Sequence, residues 1–367
     1  METDSNSNSA ESWPFYSAAT SDCQTEACRT CEPCPYLLGK IPSDQMMNAV
    51  AVTDFHGNSQ LYELLLRIVD LWKISSVFIT GDLAPSIYEP TDISVVGASE
   101  AVDHQHAFFS DVFIPMFDAF LSRHRQTHIY AIMGNDDRRA TEPLLKDFDE
   151  ATRNFHLLND RMVAFHHAKQ IRTFFPNEVP QLFVAGYPYV PIGGGLLMDW
   201  VKHENRVGLM PPGMESLLDI GSSGIQTVKP RFDSTIEEDL SDFSGYLDKW
   251  EMTSEDVYDP ARTIHLFHAP PYNTPLDQIA PQGRYDFVNL PDHVGSSEIR
   301  RFIERDRPFL VLSGHCHEAV VLGDYKTNIG ATRCVNPGSQ THIDVLSIVQ
   351  FNPYDPTEMK QFFINVK

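Results

Sequence analysis

Basic residues are scarce in this chain. Lys and Arg total 28 against 50 Asp and Glu, a formal net charge of −22. That balance disfavours a protein that grips nucleic acid, or an anionic membrane surface, through a basic footprint. Long apolar runs are missing too, and no stretch approaches the ~20 residues that span a bilayer. The opening Met1-Glu2-Thr3-Asp4 carries acids where a secretory leader carries bases, and no apolar segment follows. A cytoplasmic protein without a membrane partner is the expectation. Cysteine is sparse: Cys23, Cys28, Cys31, Cys34, Cys316 and Cys334 are the six present. In a reducing compartment these read as thiols or metal ligands rather than a disulfide framework. No internal repeat is visible.

What is present is a chain of 367 residues, 42% hydrophobic, enough for a sizeable core in one large or two ordinary domains. Residues 1–45, rich in Ser, Asn, Thr and acids, read as a flexible tail, and residues 46–367 as the folded domain. Four of the cysteines fall in that tail, Cys23, Cys28, Cys31 and Cys34, close enough to bind zinc or an iron–sulfur cluster. Their spacing follows no common pattern for either, and free thiols are the competing reading.

Beyond the tail, strand-like and helical patterns alternate. Residues 48–53, 77–80 and 128–133 are short apolar runs that predict buried strands, and Leu61, Leu64, Leu65 and Ile68 follow helical spacing after Asn58 or Ser59. Residues 84–105 read as a loop and 106–122 as a helix. Further strands are predicted near 161–166, 181–186, 263–268 and 308–313, and a helix over Ser297–Glu304. Short strand-like pieces follow near 319–323, 332–335, 343–351 and 360–366. The alternation predicts an α/β layer architecture. Between Asp199 and Asp259 stand 14 acids and 5 bases, nine of the 22 surplus negative charges. This block, with Gly193-Gly194-Gly195 before it, reads as an acidic cap inserted at about 190–260, and Thr235 with Glu238 has the spacing of a helix capping box.

Five short segments stand at the ends of predicted strands. They are Asp54-Phe55-His56, Gly81-Asp82, Gly134-Asn135-Asp136-Asp137, His268, and Gly314-His315-Cys316-His317. Ligands of open α/β sheets bind outside the carboxyl ends of the strands, so the five can meet in one crevice. They offer two Asp carboxylates, an Asn carbonyl and four imidazoles, donors that suit two borderline transition metals. Glycines before Asp82, Asn135 and His315 fit tight turns or close backbone approach. Asp103-His104-Gln105-His106 repeats the D-x-H spacing but follows no strand and is read as a decoy. Cys316, between two ligand histidines, is expected to point away as a buried thiol.

The ordered set resembles the calcineurin-like metallophosphoesterase superfamily over about residues 48–345, and Val335-Asn336-Pro337-Gly338-Ser339 resembles a structural segment of its phosphodiesterase branches. The resemblance implies a four-layer α/β/β/α sandwich with a dinuclear centre of two divalent or trivalent ions (Mn, Fe, Zn or Ni). Asp54, His56, Asp82 and His317 would hold the first ion. Asp82, bridging, with Asn135, His268 and His315 would hold the second. A metal-bound hydroxide would attack phosphorus. Many members carry a His after the Asn, where this chain has Asp136, and branches without that His look like phosphodiesterases. The expectation is therefore a phosphodiesterase acting on a small or medium phosphate ester, with Asp136 as an acid if its pKa is raised. Arg138 and Arg139 are candidate phosphate contacts, and His203 a candidate substrate contact. A phosphomonoesterase, a nuclease and a non-catalytic interaction module on the same fold are the alternatives.

Overall fold

A computed structural model describes residues 48–86, 98–166, 181–192, 196–197, 199–206, 217–221, 224–228, 234–249, 257–279 and 293–366. By contacts the chain divides into Pro42–Val366 and a second unit of Met1–Ile41 with Lys367, and every described residue lies in Pro42–Val366. The four N-terminal cysteines of the candidate zinc or iron–sulfur site lie outside the described residues, as does the rest of the predicted tail.

In chain order the main strands are β1 (Ala49–Val52), β2 (Ser76–Thr80), β3 (His128–Ile132), β4 (Phe155–Leu157), β5 (Arg161–Ala164), β6 (Phe183–Tyr187), β7 (Asp248–Lys249), β8 (Thr263–Phe267), β9 (Leu310–Leu312), β10 (Lys326–Ile329), β11 (Thr332–Val335), β12 (Val345–Asn352) and β13 (Asp355–Asn365). They form two sheets, one ordered β13-β12-β1-β2-β3-β4 and the other β7-β5-β6-β8-β9-β11-β10. Within the first, β1 to β4 run parallel and β12 and β13 antiparallel. Within the second, β6, β8, β9 and β11 run parallel. Short strands at 190–191, 196–197, 201–202, 217–221 and 224–228 form two small separate sheets inside the acidic block.

The two main sheets share one core. Ala49, Ala51, Phe78, Tyr130, Ile132, Val349 and Phe351 of the first meet Val184, Ile264, Leu266, Leu310, Leu312 and Val335 of the second. Helices cover the outer faces. They are α1 (Ser59–Leu71), α2 (Ala98–Phe108), α3 (Ile114–Leu121), α4 (Glu142–Ala151), α5 (Ile236–Ser241), α6 (Phe243–Tyr246), α7 (Ser297–Asp306) and α8 (Ala319–Leu322). Helix α1 lies on β12 and α4 on β4. On the far side Phe302 of α7 packs against His265 and Phe267, the outward residues of β8. This is the α/β/β/α order. It explains why β1 to β3 read as unbroken apolar runs: strands covered on both faces have no solvent side to mark.

Local chemistry sets the elements much as the pattern implies. Asn58 caps α1 by accepting from the Leu61 N–H at 3.2 Å, and Thr235 and Glu238 form the capping box of α5. Two expectations fail. Helix α2 begins at Ala98, inside the stretch read as a loop, and passes through a π-helical turn at Phe109–Phe113 before α3. Residues 319–322, read as strand, form helix α8, whose Val321 and Leu322 N–H groups donate to the Glu318 carbonyl. Among the described residues no helix is long and apolar enough to cross a membrane.

Candidate metal centre

All seven residues of the sequence-derived ligand set lie at the carboxyl ends of strands of the two sheets. Asp54 and His56 follow β1, Asp82 follows β2, Asn135 follows β3, His268 follows β8, and His315 and His317 follow β9. Neighbouring strand ends bring them together. One donor atom each of Asp54, His56, Asp82 and His317 fall within 4.8 Å of one another. Within that group His56 Nε2 and His317 Nε2 face each other at 3.0 Å, and His317 Nε2 is 3.4 Å from Asp54 Oδ1. On the other side of Asp82, His268 Nε2 lies 3.3 Å from Asp82 Oδ2 and 2.9 Å from Asn135 Oδ1. The rings of His268 and His315 meet at 5.3 Å. Asp82 Oδ2 thus lies near a nitrogen of each group, 3.9 Å from His56 Nε2 and 3.3 Å from His268 Nε2.

The backbone is bent to make this possible. Asp54, His56, Asp82 and His315 all adopt left-handed φ, at 52°, 45°, 50° and 66°. For residues with a Cβ this conformation costs roughly 1–2 kcal/mol each, and its concentration in one crevice marks a site held in place by its surroundings. The glycines do what their positions imply. A Cβ on Gly81 would run into the His268 ring, one on Gly134 into Asp82 and His268, and one on Gly314 into Thr53 and Asp54.

The donor chemistry fits two cations. Asp54, Asp82, Asp136 and Asp137 are at most 8% exposed and crowd one crevice, with imidazole nitrogens turned inward. Buried carboxylates in such a cluster demand compensating positive charge.

The chain matches the calcineurin-like phosphoesterase family model over residues 47–319. It belongs to that family. No curated protein matches it in sequence. Among solved structures it is similar to TT1561 of Thermus thermophilus, at 14% identity over 87% of this chain and 98% of that one, with a TM-score of 0.47. It is also similar to the Thermus thermophilus sulfate thiohydrolase SoxB (13%, 86% and 43%, 0.38) and to a novel archaeal phosphodiesterase (11%, 86% and 98%, 0.31). At these values the likenesses add nothing to the family assignment.

Electrostatics separate the roles of this phosphoesterase's site residues. Burial opposes the charged ring of His56, yet the hydrogen bond to Asp136 and the charges of Asp82 and Asp54 outweigh it and raise the pKa to about 10. His268 is likewise raised, to about 9, because Asp82 overcomes its burial. His315 goes the other way, to about 4, through burial and the neighbouring His268. Asp54 is held well below the usual carboxylate range, since His317 and the other imidazoles outweigh its burial.

Asp136, the candidate acid, sits against His56. Burial favours its protonated form, but the contact with His56, whose Nδ1 is 3.4 Å away, brings its pKa down to about 2. Its backbone N–H donates to Asp82 Oδ1 at 2.8 Å and its Oδ1 accepts from Asn135 Nδ2 at 3.2 Å. A carboxylate on the rear nitrogen of a ligand histidine orients that ring and raises its basicity. The two arginines proposed as phosphate contacts already have partners within the protein. Arg139 stacks on Trp200 at 4.2 Å, and its Nη2 donates to the Asp199 carbonyl and Tyr189 Oη. Arg138 is 1% exposed, and its charge acts on Asp136. His203 is partly exposed, with its pKa lowered by burial. Cys316 is buried with its thiol pushed up by that burial.

Asp137 and Gln105 have no role in the sequence reading, and the segment 336–339 only a structural one. Asp137 is fully buried and accepts from the backbone N–H groups of Leu83, Ala84 and Gly134 at 3.0, 2.8 and 2.9 Å. It ties the Asp82 loop to the Asn135 loop. Gln105, inside the decoy motif, donates to the Pro85 and Asp136 carbonyls and accepts from the Arg138 N–H. The Asn336-Pro337-Gly338-Ser339 segment braces the histidine loop: Asn336 Nδ2 donates to the Gly314 and Cys316 carbonyls, and Ser339 Oγ to the Asp54 carbonyl. The second Asp of Gly134-Asn135-Asp136-Asp137 was the visible signal for one of these; nothing in the sequence singles out Gln105.

Proposed function

We propose that this phosphoesterase is a metal-dependent phosphodiesterase acting on a small or medium phosphate ester. The observation that carries the diesterase reading is Asp136, a buried carboxyl group 3.4 Å from His56 Nδ1 at the position where many relatives have a histidine. A phosphomonoester approaches as a near dianion, and a carboxylate at this position repels its oxygens and offers no imidazole N–H to a poor leaving group. A diester carries one negative charge and is repelled less.

In this reading Asp54, His56, Asp82 and His317 would hold one ion, and Asp82, Asn135, His268 and His315 the other. Mn, Fe, Zn or Ni suits the mixed O/N donors. When bound, the ions polarise the phosphoryl oxygens, activate water and stabilise the leaving oxygen. The protein's own part is orientation. Asp136 sets the ring of His56, the Thr80 carbonyl 2.7 Å from Nδ1 sets that of His268, and Asp54 is fixed by the Thr53 hydroxyl and the His315 N–H.

The surplus acid between Asp199 and Asp259 supports a small substrate. In this reading the block at about 190–260 acts as an acidic cap that screens out polyanions such as nucleic acid, and the protein works in the cytoplasm. A matrix of Mn, Fe, Zn and Ni against activated mono- and diesters and cyclic nucleotides tests the assignment. Diesters should be turned over fastest, and a strong preference for monoesters would sink the diesterase reading.

A further inference from the structure

A second imidazole cluster sits at the opposite end of the sandwich. His128 opens β3, at the strand end away from Asn135, and His156 lies beside it in β4. His166 follows β5 of the other sheet, and its backbone N–H donates to the Tyr130 hydroxyl at 2.9 Å. His128 Nδ1 and His156 Nε2 are 3.0 Å apart with their rings 4° from parallel. The ring of His166 lies over His128 at 4.2 Å and 5.1 Å from His156. One nitrogen from each of the three falls within 4.8 Å of the others. His156 is buried, whereas His128 and His166 are half-exposed, so the cluster opens to solvent.

Three imidazoles converging without a carboxylate or thiolate form a donor set for a borderline divalent ion. A single shared proton satisfies one nitrogen pair, whereas a metal ion engages all three rings. We propose that His128, His156 and His166 bind a zinc ion that ties the two sheets together at the end remote from the catalytic centre. Zinc–nitrogen bonds of about 2.0–2.1 Å bridge two nitrogens 3.0 Å apart at an N–Zn–N angle near ~95°. His128 and His156 must turn out of their common plane, and His166 must tilt off His128. Water would complete the fourth position. Arg161, the cation acting on His156, is held by Asp149 at 2.6 Å.

The test is zinc titration of the metal-stripped full-length protein, followed by metal analysis and thermal melting. His128→Gln and His166→Gln should each bind one zinc fewer than the wild type and show a smaller zinc-induced rise in Tm. Their diester hydrolysis should be unchanged. An undiminished zinc count in both variants overturns the proposal. Imidazole ¹⁵N NMR on the wild type gives a check that needs no variant. Zinc should move the ring-nitrogen resonances of all three histidines, and resonances that stay in place under excess zinc overturn the proposal equally.

Discussion

At the residue scale the centre depends on atoms that are not ligands. Gly134 has no room for a Cβ, because Asp82 and His268 already fill the space. Gly134→Ala should therefore displace both, leave the fold intact by circular dichroism, and lower turnover by about 10²-fold, the penalty for ~1 Å of misplacement. Asp137 receives three backbone N–H groups. Asn in its place brings an NH₂ group against one of these donors, which should cost about 2–3 kcal/mol in denaturant unfolding, with metal affinity falling alongside. That the seven proposed ligands stand where strands end was legible in the sequence. The left-handed backbone at Asp54, His56, Asp82 and His315 was not, since none of the four is glycine and the strain is imposed by tertiary contacts.

At the scale of elements, β8 and α7 show how a buried histidine shapes stability. His265 Nε2 lies 3.0 Å from the Tyr258 hydroxyl and Nδ1 3.2 Å from the Thr263 carbonyl, a neutral ring with both nitrogens used. Burial drops its pKa from the ordinary 6.5 to about 3. In that window the unfolded chain takes up a proton at this position that the folded chain refuses, so stability falls as pH drops from about 6.5 towards 3. Unfolding free energy measured across this range should decline less steeply in His265→Phe than in the wild type. Legibility also varied by element. Strands β1 to β3 announced themselves as apolar runs. Ala319-Val320-Val321-Leu322 reads as strand by its β-branched residues, yet local N–H bonds to Glu318 wind it into a turn of helix. Helix α2 carries polar residues such as Glu100, Asp103 and His104 and lacks the apolar stripe that marks a helix, so pattern alone missed its start.

For the whole molecule, the net charge of −22 overstates what a substrate meets. Two divalent ions would bring it to −22 + 4 = −18 and would offset the carboxylates that crowd the crevice. Bound at Asp54 and Asp82, such ions would compensate buried carboxylates, so metal binding and folding should be linked. Removing metal with a chelator should lower Tm. Restoring it at 100 times its Kd should return about 2.7 kcal/mol of stability per site. That the chain is layered α/β was legible because alternating strands and helices allow few architectures; the α/β/β/α order came from the family resemblance. How the strand ends of two sheets converge on one crevice emerged only from the fold.

The most direct test compares manganese-loaded wild type with Asp82→Ala in the hydrolysis of bis(p-nitrophenyl) phosphate. Asp82 joins both donor groups, so the variant should lose at least about 10²-fold in kcat, the scale of one lost electrostatic contact to the transition state. A folded Asp82→Ala protein that keeps wild-type turnover would contradict a dinuclear centre at these residues.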